Sequence, residues 1–355
     1  MNRRARAILA LVATTSLWGL SFPLMRMINV LMVRAVPEAP GGGSTASIIL
    51  DQLTRASFYM AVRFAMAMAF LGLAAPGLFR GLTAAEWGMG IGVGLPFAAG
   101  FLLQVAGLNE IPSSRSGFLT SLCVAFTPIV MIAVERRRPR IAAMIGASIA
   151  ILGTAFLTGL LVTGGPLGVR PSAEAAARVG LGDILTLATA FIFAFQVVAV
   201  DLFARRMPSE RLTAGMFLGV VLVAVVSGSF GVVFRPSTTG ISGWTSLLAD
   251  VPFLALTAVT AALCSTLAFW LMNLFQPEVS PVQASSIYTM EPIFATLWAL
   301  WLPGLLGPLI GVNEPSEHFH ASLLIGGALI VVGNIVGLAG PSDGIHPDGP
   351  NSSSR

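Results

Sequence analysis

Ten stretches of about 20 mostly apolar residues recur along the chain, each long enough to cross the roughly 30 Å hydrocarbon core of a bilayer as a helix. They are 7–27, 56–75, 88–108, 114–134, 141–162, 181–203, 212–234, 252–275, 281–303 and 321–340. Within lipid, backbone donors and acceptors must be satisfied inside the protein, so such runs fold as helices. Composition excludes the main alternative. Only 10% of the 355 residues are charged against 55% hydrophobic, whereas a soluble domain carries about 25% charged residues. So few charges cannot cover a water-exposed surface, which rules against soluble enzymes. The net charge of +4 does not mark a nucleic-acid binder, because the basic residues, all Arg, cluster at the ends of the apolar runs.

Six charged residues fall inside the runs: Arg26, Arg63, Arg115, Asp183, Asp201 and Glu291. Only Arg63 and Glu291 lie near a run's centre; the others are near ends, where long side chains reach the headgroups. The basic, then apolar N-terminus resembles a signal peptide, but Trp18, Phe22 and Pro23 stand where a small-residue cleavage site would be. It is read as a retained first span. With the N-terminus inside, the inner segments hold 12 Arg and the outer loops 5. Both termini are therefore expected in the cytoplasm.

The loop charges also point to an internal repeat. Segment 135–140, ERRRPR, links the fourth and fifth runs, whereas the equivalent segment 304–320 has no Arg. Opposite bias in equivalent loops is what two oppositely oriented five-helix units would carry. Residues 145–156 also line up with 325–336, placing Gly153 opposite Gly333. The expected fold is an all-α integral membrane protein with ten transmembrane helices in two inverted five-helix repeats, 5–162 and 181–340. Residues 163–180 form the linker, 28–55 an outer-loop insert with a short interfacial helix, and 341–355 a disordered cytoplasmic tail.

Several residues carry a resemblance to a known family. They are Trp18-Gly19 with Ser21-Phe22-Pro23, Arg63-Phe64, the Ser-rich segment Ser113–Leu122, ERRRPR, and above all Ser280-Pro281-Val282-Gln283-Ala284 leading to Glu291-Pro292. Over roughly residues 5–340 the chain resembles the EamA-type branch of the drug/metabolite transporter superfamily. That resemblance implies a ten-helix multi-pass carrier of the bacterial plasma (inner) membrane that exports amino acids or other metabolites. Two features depart from the family pattern: the insert 28–55, and a long segment with Glu314, Glu317, His318 and His320 in place of an acidic residue before a short loop.

Candidate site residues are the polar groups at membrane depth. Glu291 is expected to face a cavity, because an ionised carboxylate in hydrocarbon costs several kcal/mol. The adjacent Pro292 removes a backbone donor and loosens the helix. Arg63 offers a planar fork of donors to a carboxylate or phosphate, or else pairs with Glu291. Arg115 and Gln283 become equivalent when 111–123 is laid on 279–291; each is a gating or contact residue, with headgroup snorkelling the alternative for Arg115. Trp18, Gln104, Thr120, Gln196, Asn273 and Tyr288 either complete the site or bond between helices. Tyr288 shares a helical face with Glu291. Gly88, Gly90, Gly92 and Gly94 form two small-residue frames for helix packing. Cys123 and Cys264 read as buried small hydrophobes. His318 and His320 lack the further ligands of a metal site, and no cofactor is implied.

The function that follows is a secondary active transporter, an exporter of a small polar metabolite such as an amino acid, working by alternating access and coupled to protons on one reading. Uptake by the same fold is the alternative. An intramembrane enzyme would need paired catalytic groups at depth, and no run contains a His. A non-transporting sensor would need a sizeable soluble domain. Expected partners are the metabolite, membrane lipids and, if coupled, protons; a homodimer is compatible with the sequence and nucleic acid is not.

Overall fold

A computed structural model describes residues 3–37, 45–108, 110–111, 113–136, 139–157, 160–163, 169–171, 180–234, 240–313, 316 and 321–339. The first half contains α1 (Arg3–Ala35), α2 (Thr45–Ala74), α3 (Ala84–Gly107), α4 (Ser113–Ser121), α5 (Cys123–Glu135) and α6 (Ile141–Leu157). A two-stranded antiparallel hairpin follows, β1 (Leu161–Thr163) with β2 (Val169–Pro171), pairing Val162 with Arg170. The second half contains α7 (Leu181–Ala204), α8 (Leu212–Phe234), α9 (Gly240–Leu247), α10 (Val251–Val259), α11 (Ala268–Phe275), α12 (Pro281–Tyr288), α13 (Glu291–Ala299), α14 (Leu302–Ile310) and α15 (Ala321–Leu338). A π-helical segment, Thr260–Leu267, joins α10 to α11.

Among the described residues, seven helical segments are long and apolar enough to span a bilayer. An eighth is bent by 55° between α13 and α14, and α6 and α15 are shorter apolar helices. Each of the ten apolar runs coincides with one of these segments. Their boundaries are set by capping. Thr83 and Glu86 exchange hydrogen bonds at the start of α3, Asp250 accepts from Phe253 N at 2.7 Å, and Ser280 and Gln283 cap α12 reciprocally. Gly311 ends α14 in the left-handed region at φ 66°.

Several boundaries differ from the sequence reading. The insert 28–55 is largely helical, because α1 continues to Ala35 and α2 begins at Thr45. Met27, Ile28, Leu31 and Met32 on the extension of α1 are all buried, so packing extends the helix beyond the bilayer-length run. The fifth run was expected to reach 162, but α6 stops at Leu157 and the chain turns into the hairpin. The ninth run is three helices rather than one. The loop residues Glu314, Glu317, His318 and His320, and the tail 341–355, lie outside the described residues.

Two breaks have a common cause. Ser121 Oγ donates to Phe118 O at 2.7 Å and Thr289 Oγ1 to Ser286 O at 2.6 Å. Such back-bonding competes with the helical ladder and bends the chain. Pro292 adds to the second break by withholding the donor that would reach Tyr288. When 111–123 is laid on 279–291, Ser121 falls on Thr289, and Cys123, which opens α5, falls on Glu291, which opens α13.

Small residues let the helices approach backbone to backbone. A Cβ on Gly153 of α6 would sit 2.7 Å from Gly326 O, and one on Gly333 of α15 would sit 2.6 Å from Gly146 O. Between α3 and α8, a Cβ on Gly90 would lie 2.6 Å from Gly215 Cα and one on Gly94 2.5 Å from Met216 O. Gly88 meets nothing within 4 Å, so only the Gly90/Gly94 frame is a backbone contact. Elsewhere α2 packs on α8, α7 on α3, α4 and α5, and α1 on α11, α12 and α13. Large apolar side chains such as Leu73, Val226, Val233 and Leu309 point outwards and are exposed, as suits a lipid-facing surface.

Candidate functional site

Seven of the ten candidate residues line one cavity of about 60 Å³. Its walls come from both halves of the chain: α1, α2, α3, α4 and α5 on one side, and α7, α11, α12 and α13 on the other. Much of the wall is aromatic. Phe97 packs on Phe193 with ring centroids 5.6 Å apart and on Phe269 at 4.6 Å, and Trp18 meets Tyr288 at 5.0 Å and Phe269 at 5.3 Å.

Arg63 supplies the fixed charge. It is 1% exposed, a position that costs several kcal/mol unless its donors are satisfied. Nε donates to Ser265 Oγ at 2.7 Å, and Nη1 to Tyr59 OH at 3.1 Å and to Met25 Sδ at 3.6 Å. Cζ also sits 5.1 Å from the Phe101 ring centroid and 5.6 Å from that of Phe64, within cation–π range. Tyr59 is in turn fixed by its bond to Thr260 Oγ1 at 3.2 Å. Ser265 and Thr260 lie on the π-helical segment, where widened turns commonly mark functional sites. No carboxylate pairs with Arg63 among the described residues, and its Nη2 makes no hydrogen bond there. The pair with Glu291 weighed from the sequence is therefore not formed, although both residues line the same cavity.

Glu291 opens α13 at the break. It is 9% exposed and accepts no hydrogen bond among the described residues. Two hydrogen bonds flank the breaks: Gln104 Nε2 donates to Thr120 Oγ1 at 3.0 Å, and Tyr288 OH donates to Gln276 Oε1 at 2.9 Å. Thr120 and Tyr288 each stand three residues before the restart of their helix. Gln196 Nε2 reaches Met272 Sδ at 3.6 Å. Trp18 Nε1 is buried without a partner among the described residues.

The cavity thus brings together Glu291, Arg63, Trp18, Tyr288, Thr120, Gln196 and Gln104. Three expected site residues are held elsewhere. Arg115 Nε bonds Asp183 Oδ1 at 2.6 Å, which replaces the snorkelling expected of it. Gln283 caps α12 and reaches Gly337 O at 3.4 Å. Asn273 Nδ2 donates to Thr213 Oγ1 at 2.9 Å, tying α11 to α8. Sequence reasoning missed Ser265 and the aromatic wall. Tyr59, one helical turn before Arg63, could have been found from that spacing; Phe97 and Phe101 share the same spacing but look like ordinary core.

A family model for the EamA-like transporter family matches this chain twice, over residues 44–159 and 180–304. The chain belongs to the EamA-like transporter family. A relative from Archaeoglobus fulgidus, described as an uncharacterized transporter, is 22% identical over 329 residues, 93% of this chain and 86% of its own. A protein known from a crystal structure superimposes with a TM-score of 0.54 at 21% identity, covering 94% of this chain and 97% of that one; that likeness concerns the fold alone. The protein is accordingly a multi-pass membrane transporter, and as an EamA-like transporter it acts on a small molecule.

Proposed function

We propose that this transporter is a secondary carrier for a small polar metabolite such as an amino acid, working by alternating access in the export direction. One observation carries the reading: a buried guanidinium and a buried carboxylate line one cavity, and neither is neutralised by the other or by any described partner. A zwitterion would satisfy both, its carboxylate on the unbonded Nη2 of Arg63 and its ammonium on Glu291. Glu291 is also the group that would carry a proton, if transport is proton-coupled.

The underlying architecture is ten spans in two inverted repeats, 5–162 and 181–340, both termini cytoplasmic, in a bacterial inner membrane. The twofold family match, the coincident helix breaks and the reciprocal glycine contacts of α6 and α15 support it. A cavity of about 60 Å³ has room for only a few waters, against roughly 300–1,000 Å³ for typical ligand pockets. Substrate uptake then requires the walls to part, which the broken helices would allow.

The reading is tested by loading cells with mixed amino acids and peptides and profiling the medium over time. A compound released only when the protein is present supports export; accumulation inside cells would reverse the direction. Reporter fusions after Arg140 and after His320 should report opposite sides of the membrane; the same side for both would overturn the inverted repeat. Replacing Arg63 by Lys keeps the charge but removes the planar fork. One lost charged hydrogen bond, about 1.5–3 kcal/mol, should raise the substrate concentration for half-maximal flux roughly 10- to 100-fold. An unchanged concentration dependence would remove Arg63 from substrate contact.

A further inference from the structure

A second, larger cavity of about 450 Å³ lies on the side of the bundle, between α2, α8 and α9. Small residues on α2 and α8, namely Ala61, Ala224 and Gly228, leave the space. Beside them Ser57 Oγ and Ser227 Oγ share a hydrogen bond at 2.8 Å, and a Cβ on Gly228 would lie 3.3 Å from Ser57 Cβ. The two helices are therefore joined along one side of the groove. Val225, Val233 and Ile241, which also line it, are 51%, 73% and 73% exposed. The groove thus opens sideways and is continuous with the lipid-facing surface.

Its length and chemistry restrict what can fill it. The lining residues of α8 run from Ala224, near the middle of the helix, to Val233, one residue from its end. At 1.5 Å per residue this is about 13–14 Å, close to one leaflet of a hydrocarbon core about 30 Å thick. At the far end stands Trp244 of α9, packed on Phe58 of α2 with ring centroids 5.0 Å apart. A Trp on a short helix between two spans is suited to the membrane–water interface. Among the described residues no charged side chain lines the groove, and the Thr54 hydroxyl on its wall turns back to Leu50 O at 2.6 Å. The groove therefore asks for an apolar, linear occupant one leaflet long.

We propose that the groove holds one acyl chain of a membrane phospholipid, with the headgroup at the Trp244 end and the chain's tip between Ala61 and Ala224. Moving a chain from lipid into an apolar groove gains nothing from the hydrophobic effect. The chain enters because an empty groove would forfeit dispersion contacts along both walls. A helix from a second copy is a poorer match, being about 10–12 Å across and running on past Ala224 through the other leaflet. The bound chain braces α2, the helix that carries Tyr59 and Arg63, from the lipid side. The site does not depend on the transport reading.

Binding is read in two ways. Protein taken from phosphatidylcholine vesicles into mild detergent is weighed intact by native mass spectrometry, where one retained phospholipid per chain is expected. Quenching of Trp244, taken as the difference made by Trp244→Phe in each background, is measured with phosphatidylcholine brominated near the headgroup or near the chain ends. Bromine near the headgroup should quench it more strongly. Ser229→Phe places a ring in the groove from an exposed position, and Ala61→Leu fills it from α2. Each should lower lipid retention about tenfold, as overpacking implies, and weaken the quenching. Ala69→Phe, exposed on α2 away from the groove, should change neither. Retention and quenching equal to the parent in both filled variants would overturn the proposal. A second protein chain retained in place of lipid, and lost in Ser229→Phe, would overturn it by assigning the groove to a dimer.

Discussion

Glu291→Gln is expected to lower metabolite flux by about 10- to 100-fold, the loss of one charge-assisted hydrogen bond of about 1.5–3 kcal/mol to a bound ammonium. The substitution keeps the shape of the side chain and its place at the start of α13, so the fold should survive. If Glu291 also carries the coupling proton, the pH dependence of flux should disappear in the variant. The other ionisable groups on the cavity wall are Arg63, Tyr288 and Cys123, whose ordinary ranges lie above neutrality. Flux of the variant is measured beside the parent at several pH values, with surface expression matched. Flux equal to the parent at every pH would make Glu291 a structural residue.

Gly333→Leu should be the most damaging single change away from the cavity. Even a Cβ at that position would lie 2.6 Å from Gly146 O and 2.7 Å from Ala150 N. Those atoms belong to the backbone of α6 and cannot rotate away, so α6 and α15 must separate. Overpacking of a tight contact costs about 1–3 kcal/mol and more when backbone must move. The unfolding midpoint in detergent should fall by a few degrees, at about 2 °C or less per kcal/mol in a chain this long. Gly88→Ala is the matched control, since nothing lies within 4 Å of its added methyl; its midpoint should stay near that of the parent. Equal midpoints for the two variants would show that the α6–α15 contact is not close-packed in the membrane protein.

The spans were legible because the signal is large: a run of 20 apolar residues has few other ways to fold. Arg63 and Glu291 were legible for the converse reason, a charge standing where charge is costly. Neither argument reaches the breaks at Ser121 and Thr289, because a hydroxyl inside a helix bends the chain only if its rotamer turns back on the ladder. The partner of Arg115 was not legible, because Asp183 is 68 residues away and hydropathy gives no sign that two span ends meet. Asn273 shows the same limit. A polar side chain in an apolar run must find a partner, and the run alone does not reveal whether that partner is Thr213 on a neighbouring helix or a ligand.

The isolation of Arg63 bears on what the membrane can hold. A guanidinium does not shed its proton within a protein, so the passage through the bundle keeps a positive charge at its middle whatever the pH. Fixed positive charge in a narrow pore is a barrier to inorganic cations. On the proposed reading an inorganic cation meets this charge beside the Glu291 carboxylate, so a substrate that carries both charges is matched to the cavity where sodium or potassium alone is not.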